Sequence, residues 1–386
     1  MRGKQNDQPA MFYAIDLDER IPAHHPLRPI KAEVDRQLAA LHPQFEAAYS
    51  KTGRPSVPPE QLLKALLLQC LFSIPSETRL VERIDLDLLF RWFLNMDPAE
   101  AAFDATAFTH NRQRLEDHGL VGAFFDGVVK RALDVGQMSE DHFSVDGTLI
   151  ESYASLKSFQ PIGASEEEGE GSDNNGFKPR NAEKDFKGQK RSNETHQSKT
   201  DPEARLYRKA KGQEARLAHM GHLITDNRNG LIGSVTMTEA NGTAETEAAF
   251  TMIDHLDDRL GINPTTLGSD KGYDSGDYFL ALEARGIEPH SAMRDEPVGG
   301  KKGTGYLHRK NRPKLEARRR MAHRMQSLAF EVSQRCRKKV EEPIGWLKTV
   351  AHLARSRWVG RWKIQQQMQL AAAAYNLVRL SKCLAP

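Results

Sequence analysis

The hydrophobic pattern of this chain changes its period once, near His142, and that switch limits the fold more than any other feature. Upstream the period is helical. SVPPEQLLKALLLQCLFSI opens on prolines, and Leu62, Leu63, Leu66, Leu67 and Cys70 recur at helical spacing. Ser76 and Glu77, followed by RLVERIDLDLLFRWFL, predict a second helix or pair of helices. DATAFTHNRQRLEDHG predicts a third, with Thr106 as its cap and Gly119 as its stop. Downstream the pattern is that of strands. HFSVDGTLI alternates, with Phe143 and Val145 on one face and Asp146 on the other. LAHMGHLIT and LIGSVTMTEA flank TDNRNG, where Asn229-Gly230 is a hairpin signal. NGTAETEAAFTMIDHLDD reads as a helix, TTLGSD as a strand ending at Asp270, DYFLALEARG as a helix closed by Gly286, and IEPHSAM as a strand. Three strands, a helix, a strand, a helix, a strand and a long helical region imply an α/β fold built on a mixed sheet.

These signals divide the chain into an N-terminal arm over 1–50, interrupted by Pro22, Pro26, Pro29 and Pro43, and an all-helical domain over 51–135. A sheet-containing domain follows over 140–350, then a C-terminal helical tail over 351–386. The segment from about 164 to 199 is polar, Gly- and Asn-rich and nearly free of large apolar side chains. It is expected to be a disordered insertion after the first strand. No run of about 18 apolar residues is present to span a membrane, and MRGKQNDQPAMFYAIDLDER lacks the build of a signal peptide. Cys70, Cys336 and Cys383 are odd in number and widely spaced, which fits a reduced cytoplasmic protein and offers no metal-ligand spacing.

The net charge of +3 conceals an asymmetry. Between Lys301 and Val340 stand 14 Lys or Arg against Glu316 and Glu331 alone, and Arg355, Arg357, Arg361 and Lys363 extend the run. A cluster of this size is the footprint of a polyanion binder, and a solvated basic face is the plain alternative. Arg318, Arg319, Arg320, Lys338 and Lys339 are therefore candidate DNA contacts. TAFTHNRQRL could present Arg112 and Arg114 as a helix-turn-helix does; a helical bundle without DNA contact reads equally well.

Single carboxylates punctuate the downstream half in FSVDGTLIES, LGSDKGYDSGDYF and QRCRKKVEEPIGWLK. Asp146 within a strand is costly to bury unless it is hydrogen-bonded or binds a cation. Asp270 ends a strand, where sites form in α/β sheets. Alone, each reads as a turn or cap residue. Asp274 competes with Asp270, and Asp277 is expected to cap the next helix. Arg337, Glu341 and Lys348 fall along one side of a single helix, with Glu342 about 100° away around it. Pro343 is expected to kink or break that helix, and Trp346 to pack in the core. Hard cations such as magnesium bind through carboxylates and substrate phosphates, so an acidic trio among Lys and Arg points to metal-assisted phosphodiester chemistry. No Ser/His/Asp arrangement, phosphate-cradling glycine loop or paired zinc spacing among the 14 His competes.

Together these stretches resemble a DDE-type insertion-sequence transposase of the insertion-sequence five-like group, with an InsH-like N-terminal domain. VDGTLIES, SDKGYDS and Arg-x3-Glu-x6-Lys (Arg337, Glu341, Lys348) carry the resemblance, with Gln334 where related transposases have Tyr. PPEQLLKALLLQCLF, SETRLVERIDLDLLFRWFL and DATAFTHNRQRL add to it, so that it covers about 55–380. The resemblance implies a ribonuclease-H-like mixed sheet flanked by helices, with the two aspartates on neighbouring central strands. It implies catalysis and metal binding by Asp146, Asp270 and Glu341, with Asp146 bridging two magnesium or manganese ions and the others holding one each. Arg337 and Lys348 would grip the transposon-end phosphates. The expected partners are inverted-repeat DNA, target DNA and at least a second copy of the chain, and no membrane. A catalytically silent end-binding repressor and a metal-dependent nuclease without strand transfer are the rivals.

Overall fold

The computed structural model describes residues 14–162, 191–208, 214–294 and 311–384. The chain divides into two compact units, Met1–Leu120 and Val121–Pro386. The first is all-helical, with α1 (Leu17–Arg20), α2 (Leu27–Ala40), α3 (His42–Ala48), α4 (Pro59–Leu71), α5 (Glu77–Leu86), α6 (Leu88–Leu94) and α7 (Thr106–Asp117). Pro29 and Pro43 sit in the first turns of α2 and α3, where no intrahelical N–H is lost. α4 buries Leu62, Leu63, Ala65, Leu66, Leu67, Leu68 and Cys70, so it is apolar nearly all round and forms the middle of the unit. Ser76 caps α5 through the N–H of Arg79 at 3.2 Å. Thr106, expected as the cap of α7, is its first helical residue instead; its N–H donates to Asp104 Oδ1 at 2.7 Å.

Buried cations brace this unit. Lys64 pairs with Asp35, and Arg91 with the side chain and carbonyl of Asp85. Arg112 corrects the helix-turn-helix expectation: it is only 7% exposed and its guanidinium pairs with Glu77. Arg114 lies over the Tyr49 ring, 4.5 Å from its centroid, and donates to Asn111 Oδ1 at 2.9 Å. Both arginines are committed to packing α7 rather than to presenting charge.

The second unit has strands β1 (His142–Glu151), β2 (Phe159–Pro161), β3 (His196–Ser198), β4 (Arg205–Tyr207), β5 (Arg216–Asp226), β6 (Ile232–Glu239), β7 (Thr266–Ser269) and β8 (Glu288–Ser291). Its helices are α8 (Leu120–Asp134), α9 (Ala244–Leu260), α10 (Gly276–Ala284), α11 (Arg312–Arg324), α12 (Leu328–Arg337), α13 (Glu341–Thr349) and α14 (Arg361–Cys383). One six-stranded sheet runs β5-β1-β7-β8, with β4 and β6 sharing the outer edge of β5. The pairs β1–β5 and β5–β6 are antiparallel, whereas β1–β7 and β7–β8 are parallel. Three antiparallel strands followed by two parallel ones make the ribonuclease-H-like mixed sheet.

The faces are covered by different helices. Over Gly233, Leu256 of α9 meets Phe143; over Gly268, Ser333 of α12 meets Ser144. Alternation along β1 therefore puts α9 and α12 on opposite faces. The predicted β5–β6 hairpin forms, with Gly230 at φ 68°. An open edge strand invites mispairing, and α14 closes β6. Asn376 accepts from the N–H of Ile232 and donates to its carbonyl, both at 2.8 Å, and Gln365 accepts from the N–H of Met237 at 2.7 Å.

Most of the predicted insertion lies outside the described residues, but its end is ordered. His196–Ser198 pairs with Phe159–Pro161, His196 stacks on Phe159, and Ser198 bonds Ser158 at 2.7 Å. The disordered reading of 191–199 is corrected accordingly: polar side chains there find partners within the fold. Among the described residues no helix is long and apolar enough to cross a membrane.

Candidate active site

β7 pairs with β1 only over His142–Ser144. Past Ser144 that edge of β1 opens, and Glu151 closes it again by bridging to Arg355. Asp146 lies in this opening, and Asp270 follows the last residue of β7. The two aspartates thus come together from parallel neighbours, at a strand's carboxyl end. Asp146 Oδ1 accepts from the N–H of Gly147 at 2.8 Å. Burial, reinforced by the charges of Asp270 and Glu341, pushes the Asp146 carboxyl up to about 6, against the pull of the Gly147 N–H and the Arg337 guanidinium. Asp270 caps a 3-10 turn, Lys271–Tyr273, by accepting from the N–H of Gly272 at 2.8 Å.

Glu341 comes from a broken helix. α12 ends at Arg337, a 3-10 turn spans Lys338–Val340, and α13 begins at Glu341. The expected break therefore falls just before Pro343, leaving the proline in the first turn of α13, where its missing N–H costs nothing. This corrects the single-helix register: Arg337, Glu341 and Lys348 lie on two helices. Glu342 is taken by Arg379, at 2.5 Å, whereas Glu341 is exposed and acts on Asp146. Trp346 packs edge-on against Tyr375, with centroids 5.7 Å apart.

Gln334 gains a role no motif foretold. Its Nε2 donates to the carbonyl of His290 and, at 3.3 Å, to that of Ser269, while its Oε1 accepts from Arg337 Nε at 3.3 Å. One short amide thus ties α12 across the ends of β7 and β8 and steers the arginine that faces Asp146. A phenol has one O–H to donate where this amide has two N–H groups.

Several other sequence candidates prove structural. The Asp274 side chain is 1% exposed and accepts from Arg318 Nη2 and Nε, at 2.8 and 3.1 Å. That removes Asp274 as a rival to Asp270 and Arg318 as a free DNA contact. Asp277 pairs with Lys314 at 2.8 Å, and Ser275 holds the cap position assigned to it. Arg320 pairs with Glu283. Lys339 donates to the carbonyls of Asn227 and Arg228 at 2.9 and 2.7 Å, fastening the β5–β6 turn rather than reaching outward. Arg319 and Lys338 are exposed, and Lys348 is half-buried on α13.

The residue missed from sequence is Glu245, in the first turn of α9. A Cβ built on Gly147 would stand 3.1 Å from Glu245 Oε1, and one built on Gly272 would stand 3.1 Å from Oε2 and 2.9 Å from Asp270 Oδ1. A side chain at either position would have to push this carboxylate aside. Burial raises its carboxyl first, then the charges of Asp270 and Asp146. Acids are common in first turns, where they favour the helix dipole, so its spacing carried no signal.

The donors are all hard carboxylate oxygens, half-buried save for the exposed Glu341, which suits magnesium or manganese. As the side chains stand, no three His, Cys, Asp or Glu among the described residues converge closely enough to hold an ion.

Two aspartates on neighbouring parallel strands and a glutamate from a later helix lie where the family model described as Transposase DDE domain matches, over residues 138–377. The chain belongs to this family. A second model, Transposase domain (DUF772), matches residues 15–114 in the helical unit. The chain is therefore a DDE-type transposase with a helical N-terminal domain, of a family that acts with divalent metal ions. No curated protein matches it. Among solved structures, the crystal structure of the Mos1 mariner paired end complex with Mn matches at 10% identity over 84% of this chain and 88% of that one. Its TM-score is 0.21.

Proposed function

We propose that this transposase cuts DNA at the ends of its own insertion sequence and joins the 3′-hydroxyl ends to target DNA, with Asp146, Asp270 and Glu341 holding two magnesium or manganese ions. The observation that supports this most is electrostatic: Asp270, Glu341 and Arg337 all act on the carboxyl of Asp146. Groups far apart in sequence thus share one opening in the sheet. When bound, two such ions activate the attacking water or 3′-hydroxyl and neutralise the leaving oxygen.

The protein's own groups orient the reactants. Asp146 is fixed by the Gly147 N–H, Asp270 by the Gly272 N–H, and Arg337 by Gln334. Arg337, beside the carboxylates, is suited to hold the scissile phosphate, and Lys348, Arg319 and Lys338 to grip flanking phosphates. Arg337→Ala and Lys348→Ala are each expected to weaken end binding and make the slope of log affinity against log salt shallower by about one. Titrations of labelled end DNA over a salt series check this, and unchanged slopes would remove both residues from the phosphate path.

The reading is tested by incubating the protein with its terminal inverted repeat, magnesium and a target plasmid. Joined products support it. Nicks without joining indicate a nuclease, and binding without nicks indicates an end-binding repressor.

A further inference from the structure

We propose that Glu245 is a fourth carboxylate ligand of the divalent-cation site, reaching it from the first turn of α9. The inference rests on the reading of Asp146, Asp270 and Glu341 as that site. Its first support is the pair of glycines. Glu245 Oε2 and Asp270 Oδ1 crowd the same point over Gly272, and Glu245 Oε1 occupies the matching point over Gly147, the residue after Asp146. Its carboxylate thus lies beside Asp270 and against the residue that follows Asp146.

A second, independent observation points to a polar guest at this place. His222 is fully buried and opposes Gly147 across the β1–β5 pair. Its Nε2 bonds Thr238 Oγ1 at 2.8 Å, but its Nδ1 has no partner among the described residues. That nitrogen stands 3.3 Å from the point over Gly147 that Glu245 Oε1 also approaches. Tyr273 Oη, likewise fully buried and without a partner among the described residues, feels the charges of Glu245, Asp146 and Asp270. Buried polar atoms are almost always bonded. Two orphans beside repelling carboxylates fit a space shaped for a hydrated cation, because magnesium keeps several of its waters.

The test is Mn2+ binding to the full chain without DNA, read from loss of the free-ion electron paramagnetic resonance signal. Glu245→Gln is expected to weaken binding at least about tenfold, as is Asp146→Asn. Wild-type affinity in Glu245→Gln with weakened Asp146→Asn overturns the role of Glu245 and leaves the site standing. Wild-type affinity in both overturns the site itself. Should Glu245→Gln unfold, Glu245→Asp keeps the charge and shortens its reach: weaker binding supports the proposal, and wild-type binding overturns it.

Discussion

Asp146→Asn is expected to slow cleavage of a transposon end about a thousandfold while leaving end binding within a factor of a few. The substitution is nearly isosteric. It keeps an oxygen able to accept from the Gly147 N–H, so β1 and its pairing with β5 are undisturbed. It removes the charge that the site is built around. Metal stabilisation of transferring phosphoryl charge is worth several kcal/mol, and about 4 kcal/mol is a thousandfold in rate. Binding rests on Lys and Arg contacts to phosphates, which the change does not touch. Single-turnover cleavage and gel-shift assays on the same labelled end measure the two effects separately. Cleavage within tenfold of wild type would take Asp146 out of the chemistry.

Asp226→Ala is expected to be the most destabilising single substitution in the sheet unit, by about 4 kcal/mol or more. Asp226 is fully buried. Its oxygens accept from four backbone N–H groups: Ser139 at 3.3 Å, Arg228 at 3.0 Å, Asn229 at 3.1 Å and Leu231 at 2.6 Å. Burial raises its carboxyl, and these donors oppose that rise. Truncation orphans all of them, and each buried unpaired group costs about 1–3 kcal/mol. The damage also reaches the site, because this turn receives Lys339 from the 3-10 turn just before Glu341. Urea denaturation measures the loss; a change below about 1 kcal/mol would mean that water replaces the carboxylate.

Much of this was legible in the residues. The period change at His142 marks where the helical unit gives way to the sheet, and alternation in HFSVDGTLI sets Asp146 opposite Phe143. TTLGSD delivers Asp270 at a strand end because the following glycine and aspartate cannot continue the strand. Glu341 was reached by a register that assumed an unbroken helix. The helix breaks, and what singles out Glu341 is that Arg379, far along the chain, takes Glu342. Long-range partners account for the other misses. Arg112 looks like a surface arginine until Glu77 closes on it, and Arg318 until Asp274 does. Glu245 is an ordinary first-turn acid until the fold lays it across two glycines. In each case local pattern fixes the element, and only the tertiary neighbour decides what the side chain is for.

Whether Asp270 touches the catalytic ion is tested most directly by Asp270→Cys assayed for end cleavage in magnesium and in manganese. A thiolate is a poorer ligand for the harder magnesium ion than for manganese. Cleavage lost in magnesium and recovered in manganese is the expected result; equal loss in both metals, or full activity in magnesium, would contradict it.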